Sequence, residues 1–260
     1  MNTAFSRGLG VALFDEKIFI CYQTTNNSPD TFNVDYSKNG KEFIRLSDNA
    51  RITTSPEDAP ITKPSLFRFT KTEDVYNMYY LSEFEGKNYL EHATSLDFVS
   101  WQKTGRLFPI TEAATQIPYY DSAGKQIIFF GGNTLNIGSG SDGKLWNIQV
   151  VDMPEGKYIV GNVKETEEGP LLIYFHKTSH EEHNHYSLYT VLLDKKDPTK
   201  VLWKTDKAFW YQPQEWINKK VQPIGIVDMA GTYYSYWECP DKEIYCVVHN
   251  DLEKYANEKS

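Results

Sequence analysis

Long apolar runs are missing from this chain. No stretch of 18 consecutive apolar residues occurs, so no membrane-spanning helix is expected. Cysteine is scarce: Cys21, Cys239 and Cys246 form an odd set without a C-x-x-C spacing. They read as reduced strand residues of a cytoplasmic protein, with a Cys239–Cys246 bridge across a hairpin as the lesser alternative. Positive charge is outweighed, 27 Lys and Arg against 35 Asp and Glu, and neither Lys nor Arg forms a long run. A net charge of −8 therefore argues against nucleic-acid and anionic-membrane partners. The first residues, MNTAFSR, have no long apolar segment behind them, so no signal peptide is expected. There is no G-x-S-x-G elbow, no Cys–His arrangement and no Gly-rich phosphate loop. Gly138-Ser139-Gly140 lies at a β-corner rather than before a helix, and Gly8-Leu9-Gly10 is an equally weak signal. No cofactor and no metal are expected.

What the chain has is aromatic side chains, 15% of residues, arranged in short alternating runs. YNMYYLSE (76–83) and NYLEHATS (88–95) flank a Glu85-Gly86-Lys87 turn; Ser95-Leu96-Asp97 makes a polar corner, and Trp101 opens a further run. With a strand at 64–69 ahead of them, these segments make a four-stranded antiparallel meander. The aromatic second strand recurs as IFICYQ (18–23), IIFFGGN (127–133), LLIYFHK (171–177) and TYYSYWE (232–238). The corner recurs at Ser37-Lys38-Asn39-Gly40 and Gly140-Ser141-Asp142-Gly143, where Asx and Ser side chains close turns. Five units of about 52 residues predict an all-β, five-bladed β-propeller with four-stranded antiparallel blades, over a two-sheet sandwich. The single domain covers 1–260, with blades at approximately 1–54, 55–109, 110–156, 157–215 and 216–255.

In such a blade, the residues just before strand one and just after strand two lie on one face. Gln23, Glu83, Asn133, His176 and Glu238 follow the second strands, and Asp58 precedes a first strand. Tyr22, Tyr80, Phe175, Tyr236 and Trp237 are expected around them. Carboxylates among exposed rings suit glycosidic-bond chemistry: an acid for the leaving oxygen, a base or nucleophile opposite, and flat faces for sugars.

Several of these stretches resemble glycoside hydrolase family 130. EEGPLLIYFH (167–176) is similar to that family's Gly-Trp-Leu-Leu-Ile-Tyr-His-Gly run, and the following segment to its Leu-Leu-Asp strand and Asp-Pro-Ser-Lys-Val turn. QPIGIVDMAGTYYSYWE (222–238) resembles the Phe-Pro-Cys-Gly strand and Tyr-Tyr-Gly-Ala-Ala-Asp run, with Glu238 at the Asp. FSRGLGVALFDEKIFICYQ (5–23) resembles the Phe-Asn-Pro-Gly strand and Tyr-Arg ending, with Gln23 at the Arg. Glu57-Asp58 before Ile61-Thr62 resembles Glu-Asp-Pro-Arg-Ile-Thr. The resemblance implies cleavage of β-mannosides, by water or phosphate, with inversion, and Asp58 as general acid. Glu238 or Glu83 would be the base, ideally some 6.5–9.5 Å from the acid. Tyr80 and Trp237 would platform the sugar, and Gln23, Lys63, Asn133 and His176 would contact it.

Pro60, Gln23 and Gly131-Gly132-Asn133 stand where phosphorolytic members carry arginines. Only Lys63 and Lys177 remain as cations near the expected funnel, which favours hydrolysis; inorganic phosphate enters only for a phosphorylase. The expected partner is an oligosaccharide, and oligomeric state is left open. Two alternatives stand: a propeller without catalysis that binds a glycan or protein at the same face, and a family 43- or 32-like glycosidase. His176, His180, His183 and His185 fall within ten residues beside two glutamates, yet match no closed zinc spacing; a substrate contact by His176 is favoured.

Overall fold

The computed structural model describes residues 5–55, 61–110, 116–120, 125–140, 147–180, 183–217, 219–239 and 243–250. They form two compact units, the first from 1–113, 222–229 and 234–248, the second from 114–221, 230–233 and 249–260.

The first unit opens with the meander β1 (Phe5–Phe14), β2 (Lys17–Thr24), β3 (Thr31–Ser37) and β4 (Ile44–Thr53). A second follows: β5 (Ser65–Thr72), β6 (Val75–Phe84), β7 (Lys87–Ser95) and β8 (Ser100–Ile110). Two-residue turns at Asp15-Glu16 and Glu85-Gly86 take left-handed φ at both positions, the hairpin conformation whose twist matches the strands. The polar corners work as turn chemistry requires. Asp97 Oδ1 accepts the Val99 and Ser100 N–H groups (2.8 and 2.7 Å), and Asn39 Oδ1 those of Lys41 and Glu42 (3.0 and 2.9 Å). Phe98, at φ 64°, turns inward from that corner into an aromatic core with Phe19, Phe69 and Trp101, ring centroids 4.6–5.3 Å away.

The repeat predicts two separate four-stranded blades here, but the first two meanders are joined into one sheet. β1 meets β5 in parallel at Gly10↔Phe67, and β4 meets β8 through Arg51↔Ser100, Ile52↔Trp101 and Thr53↔Gln102, closing one eight-stranded path. These links join residues some fifty positions apart, and alternation within a strand carries no trace of them. Gly10 permits the approach, because a Cβ there would lie 2.4 Å from the Phe67 carbonyl oxygen. Gly10→Ala should therefore cost about 3 kcal/mol. It would show as a lower urea midpoint at unchanged m-value, whereas an unshifted midpoint would mean that the strands can part without cost.

In the second unit, β9 (Gln116–Tyr120), β10 (Gln126–Phe130), β11 (Asn136–Gly140) and β12 (Asn147–Val150) form the third meander. The next sheet comprises β13 (Lys157–Glu165), β14 (Pro170–His180), β15 (His183–Leu193) and β16 (Val201–Lys204), with a fifth strand, β17 (Trp210–Tyr211), also on β15. The polar crossing after it holds the single-turn helix α1 (Gln214–Ile217). The last sheet, which belongs mostly to the first unit, has three strands among the described residues rather than four, β18 (Gln222–Met229), β19 (Thr232–Cys239) and β20 (Glu243–His249). The expected corner at 141–143 and the tail beyond 250 lie outside the described residues. All three cysteines lie on strands and none is in a disulfide, Cys21 and Cys239 being buried and Cys246 exposed.

Candidate active site

The first unit gathers five polar side chains from strand ends. β1 carries register shifts on both sides of Arg7 and Gly8, so the strand is bulged where it meets the end of β2. Gly8 N–H donates to Glu238 Oε2 at 3.0 Å, reaching the end of β19. Glycine suits the position: a Cβ would stand 2.5 Å from the Ile224 side chain, which would have to shift, and 3.5 Å from that carboxylate oxygen. Gly8-Leu9-Gly10, weak as a phosphate loop, is a bulge that aims an N–H at a carboxylate.

Arg7 is the residue that strand-end reasoning omits. Its Nη2 donates to Gln23 Oε1 (3.1 Å) and to the Pro64 carbonyl. Gln23 in turn points its amide nitrogen at the Thr31 carbonyl (3.1 Å), which sets the oxygen toward Arg7. The Arg7 charge also acts on Glu238. Burial raises the Glu238 pKa above the ordinary carboxylate value, and the Gly8 N–H and Arg7 only partly oppose it. A guanidinium is thus present beside Gln23 after all, presented by β1 instead of the end of β2.

Glu83 ends β6, where Lys63 Nζ lies 2.7 Å from its Oε2. The backbone is tied there too: Glu83 N–H donates to the Thr62 carbonyl (3.1 Å), and the Thr62 hydroxyl donates to the Glu83 carbonyl. Lys63 and Leu66 both hold left-handed φ, 47° and 54°. Strained backbone of this kind persists where its surroundings over-determine it, and it gathers at functional sites. Asp58, expected as the acid, lies outside the described residues.

Two expected sugar platforms are corrected. Tyr80 and Trp237 are 0% exposed, so neither ring offers a face to a ligand. The Tyr80 hydroxyl donates to buried Glu91 (3.2 Å), and Trp237 Nε1 donates to Ser235 Oγ (2.9 Å). Tyr22, Phe175 and Tyr236, expected in the same ring, are buried as well. Alternation marks these aromatics as facing one way but does not say whether that side is solvent or core.

Asn133 and His176 belong to the second unit. Asn133 is exposed, and its carbonyl accepts Gly156 N–H at 2.9 Å. Gly131, ahead of it, has no room for any side chain: a Cβ would fall 1.8 Å from the Tyr158 carbonyl oxygen. An arginine is excluded at that position by backbone contact. His176 pairs with Tyr158 across the β13–β14 ladder, its ring centroid 5.6 Å from that of Tyr158 and 6.0 Å from that of Tyr189. Burial lowers its pKa, so it is a neutral hydrogen-bonding group at neutral pH. The histidine-rich stretch is a hairpin in which His180 pairs with His183 and His185 with Thr178. Among the described residues no group of three His, Cys, Asp or Glu side chains is gathered for a metal.

No protein-family profile matches the chain, and no curated protein matches it in sequence. Solved structures do. A glycosyl hydrolase from Bacteroides ovatus superposes with a TM-score of 0.74 at 16% identity, covering 95% of this chain and 84% of its own. The β-1,2-mannobiose phosphorylase of Listeria innocua, bound to β-1,2-mannobiose, gives 0.71 at 16%, covering 98% and 94%. A structure from the glycoside hydrolase family 130 mannoside phosphorylases, a family with hydrolases that target β-1,2 mannosidic linkages in Candida mannan, gives 0.73 at 17%, covering 95% and 84%. Likeness at such identities is likeness of fold, and the fold of this chain is glycoside hydrolase family 130-like.

Proposed function

We propose that this chain is a glycosidase that hydrolyses β-mannosidic or related bonds with inversion, on a single five-bladed propeller of four-stranded blades. The observation that carries the reading is the environment of Glu238. Its carboxyl is half-buried, held by a backbone N–H and faced by a guanidinium, on a fold shared with mannoside-cleaving enzymes. A carboxylate made more basic by burial suits removal of a proton from water, and the Gly8 N–H fixes one oxygen so that the other can accept it. Asp58 is assigned the general acid on the opposite side. Glu83 is the runner-up base, since Lys63 holds it as an ion pair. Gln23, Asn133 and His176 are assigned to the substrate's hydroxyls. Trp237 and Tyr80 are given no platform role.

Hydrolysis is favoured over phosphorolysis by charge. Each cation of the first-unit cluster is faced by a carboxylate, Arg7 by Glu238 and Lys63 by Glu83, which leaves little net charge for a phosphate dianion. The reading needs no metal or cofactor, takes an oligosaccharide as partner rather than nucleic acid or membrane, and is cytoplasmic. Incubation with β-1,2- and β-1,4-mannooligosaccharides should release mannose without added phosphate. Mannose 1-phosphate formed only when phosphate is supplied would overturn the hydrolytic assignment. The burial of Tyr80 and Trp237 favours one second reading, a site that binds glycan weakly and cleaves nothing, which the same incubation detects as binding without product.

The Arg7 charge gives a pH prediction. It stabilises the ionised form of Glu238, so Arg7→Met should raise that pKa further. A base must be ionised to act, so the acidic limb of the kcat/KM profile should move to higher pH. A profile that falls uniformly, with its limb unmoved, would mean that Arg7 does not act through Glu238.

A further inference from the structure

A further cationic group of the first unit has no use in this chemistry. Arg68 lies on β5 and is 4% exposed, more deeply buried than any other arginine described. Its hydrogen bond runs from Nη1 to the carbonyl of its own neighbour, Phe67, at 2.6 Å. No carboxylate pairs with it among the described residues, and its buried Nε has no protein partner. Two positions along the same face, the hydroxyl of Thr70 is likewise buried and unpartnered. Residues i and i+2 of a strand share a face, about 6.6 Å apart along it, so both orphan groups belong to one face of β5.

We propose that Arg68 and Thr70 together hold a small monovalent inorganic anion inside the first unit. A buried guanidinium without a counter-charge is a heavy desolvation cost, whereas water can satisfy Nε and the hydroxyl but carries no charge to oppose it. Escape by losing the proton is closed as well: burial lowers the Arg68 pKa to about 9, which leaves it charged at neutral pH. The groups beside it do not supply the missing charge. Tyr79 and Asn77 face Arg68 and Thr70 across the β5–β6 ladder. His92, whose ring lies 4.7 Å from that of Tyr79, is held neutral by burial with a pKa of about 4. Gly225 of β18 also approaches it: a Cβ there would come 3.9 Å from Cζ and Nη1. Neither Gly225 nor Val11, whose side chain also packs there, carries a charge. A halide ion, accepting from Nε–H and from the hydroxyl, would balance the charge and satisfy both donors.

The test needs no substrate. At fixed pH and ionic strength, exchanging gluconate for chloride should raise Tm saturably, by about 5 °C when the site is filled. Arg68→Met should remove that dependence, and Thr70→Val should weaken it. If Arg68→Met does not fold, a bromide-soaked crystal of the unaltered protein decides, with an anomalous peak expected within hydrogen-bond distance of Arg68 Nε. A halide response that survives Arg68→Met, or the absence of a bromide peak at that place, would overturn the proposal.

Discussion

Glu238→Gln is expected to lower kcat/KM on the order of 10³-fold, the scale of a lost general base, and to leave the protein no less stable. The two outcomes have one cause. Glutamine keeps an oxygen to accept the Gly8 N–H and removes the charge that burial disfavours. The sign follows from the direction of the shift. A carboxyl whose pKa is raised on folding contributes stability below its unfolded value, and that contribution fades as pH rises through the folded value. At pH 7 the wild type therefore carries a desolvated carboxylate at a cost, and the amide does not. Tm at pH 7 should match or exceed that of the wild type by up to about 2 °C, because the lost attraction to Arg7 cancels part of the gain. The difference should vanish near pH 4. Asp58→Asn should lower turnover on a similar scale. Full turnover by Glu238→Gln would pass the role of base to Glu83, and a clear loss of Tm would make the carboxylate a structural group.

How far this site was legible in the sequence depended on the range of the signal. Strands and turns are local: the run 76–95 is β6, a two-residue turn and β7 almost to the residue, because alternation and the Glu85-Gly86 turn are written in neighbouring positions. Arg7 was also within reach. The rule that selects Asp58, a residue just ahead of a first strand, also selects Arg7 if the first strand is taken from Gly8. What no local pattern carries is contact between strands of different repeats. The parallel link at Gly10↔Phe67 and the backbone of Tyr158 against Gly131 are of this kind. The second explains why the chain cannot place an arginine at position 131. Burial was the least legible quantity. Tyr80 and Trp237 have the alternation of platform residues and the surroundings of core residues.

The same ambiguity attends carboxylates, and Glu91 shows how it is resolved. This residue sits in the strand NYLEHATS, no more and no less suggestive than Glu83 or Glu238, and is 1% exposed. Lys103 Nζ lies 2.7 Å from one of its oxygens and Arg106 Nε 3.1 Å from the other, with the Tyr80 hydroxyl as a further donor. Arg106 is itself clamped between Phe84 and Tyr89, at 4.2 and 4.4 Å from the ring centroids. Every strong donor around Glu91 is spent on it, so it has no capacity for a substrate. Glu91→Ala strands two cations, one of them buried, and should cost roughly 3–5 kcal/mol, or about 10 °C in Tm. Turnover measured well below the transition should be almost unchanged, the reverse of the Glu238 pattern. Replacing the set together, Glu91→Leu with Lys103→Met and Arg106→Met, should recover much of the loss, since apolar groups of similar volume avoid the desolvation altogether. A triple variant as unstable as the single one would show that the donors' geometry, not their stranded charge, holds β6, β7 and β8 in register.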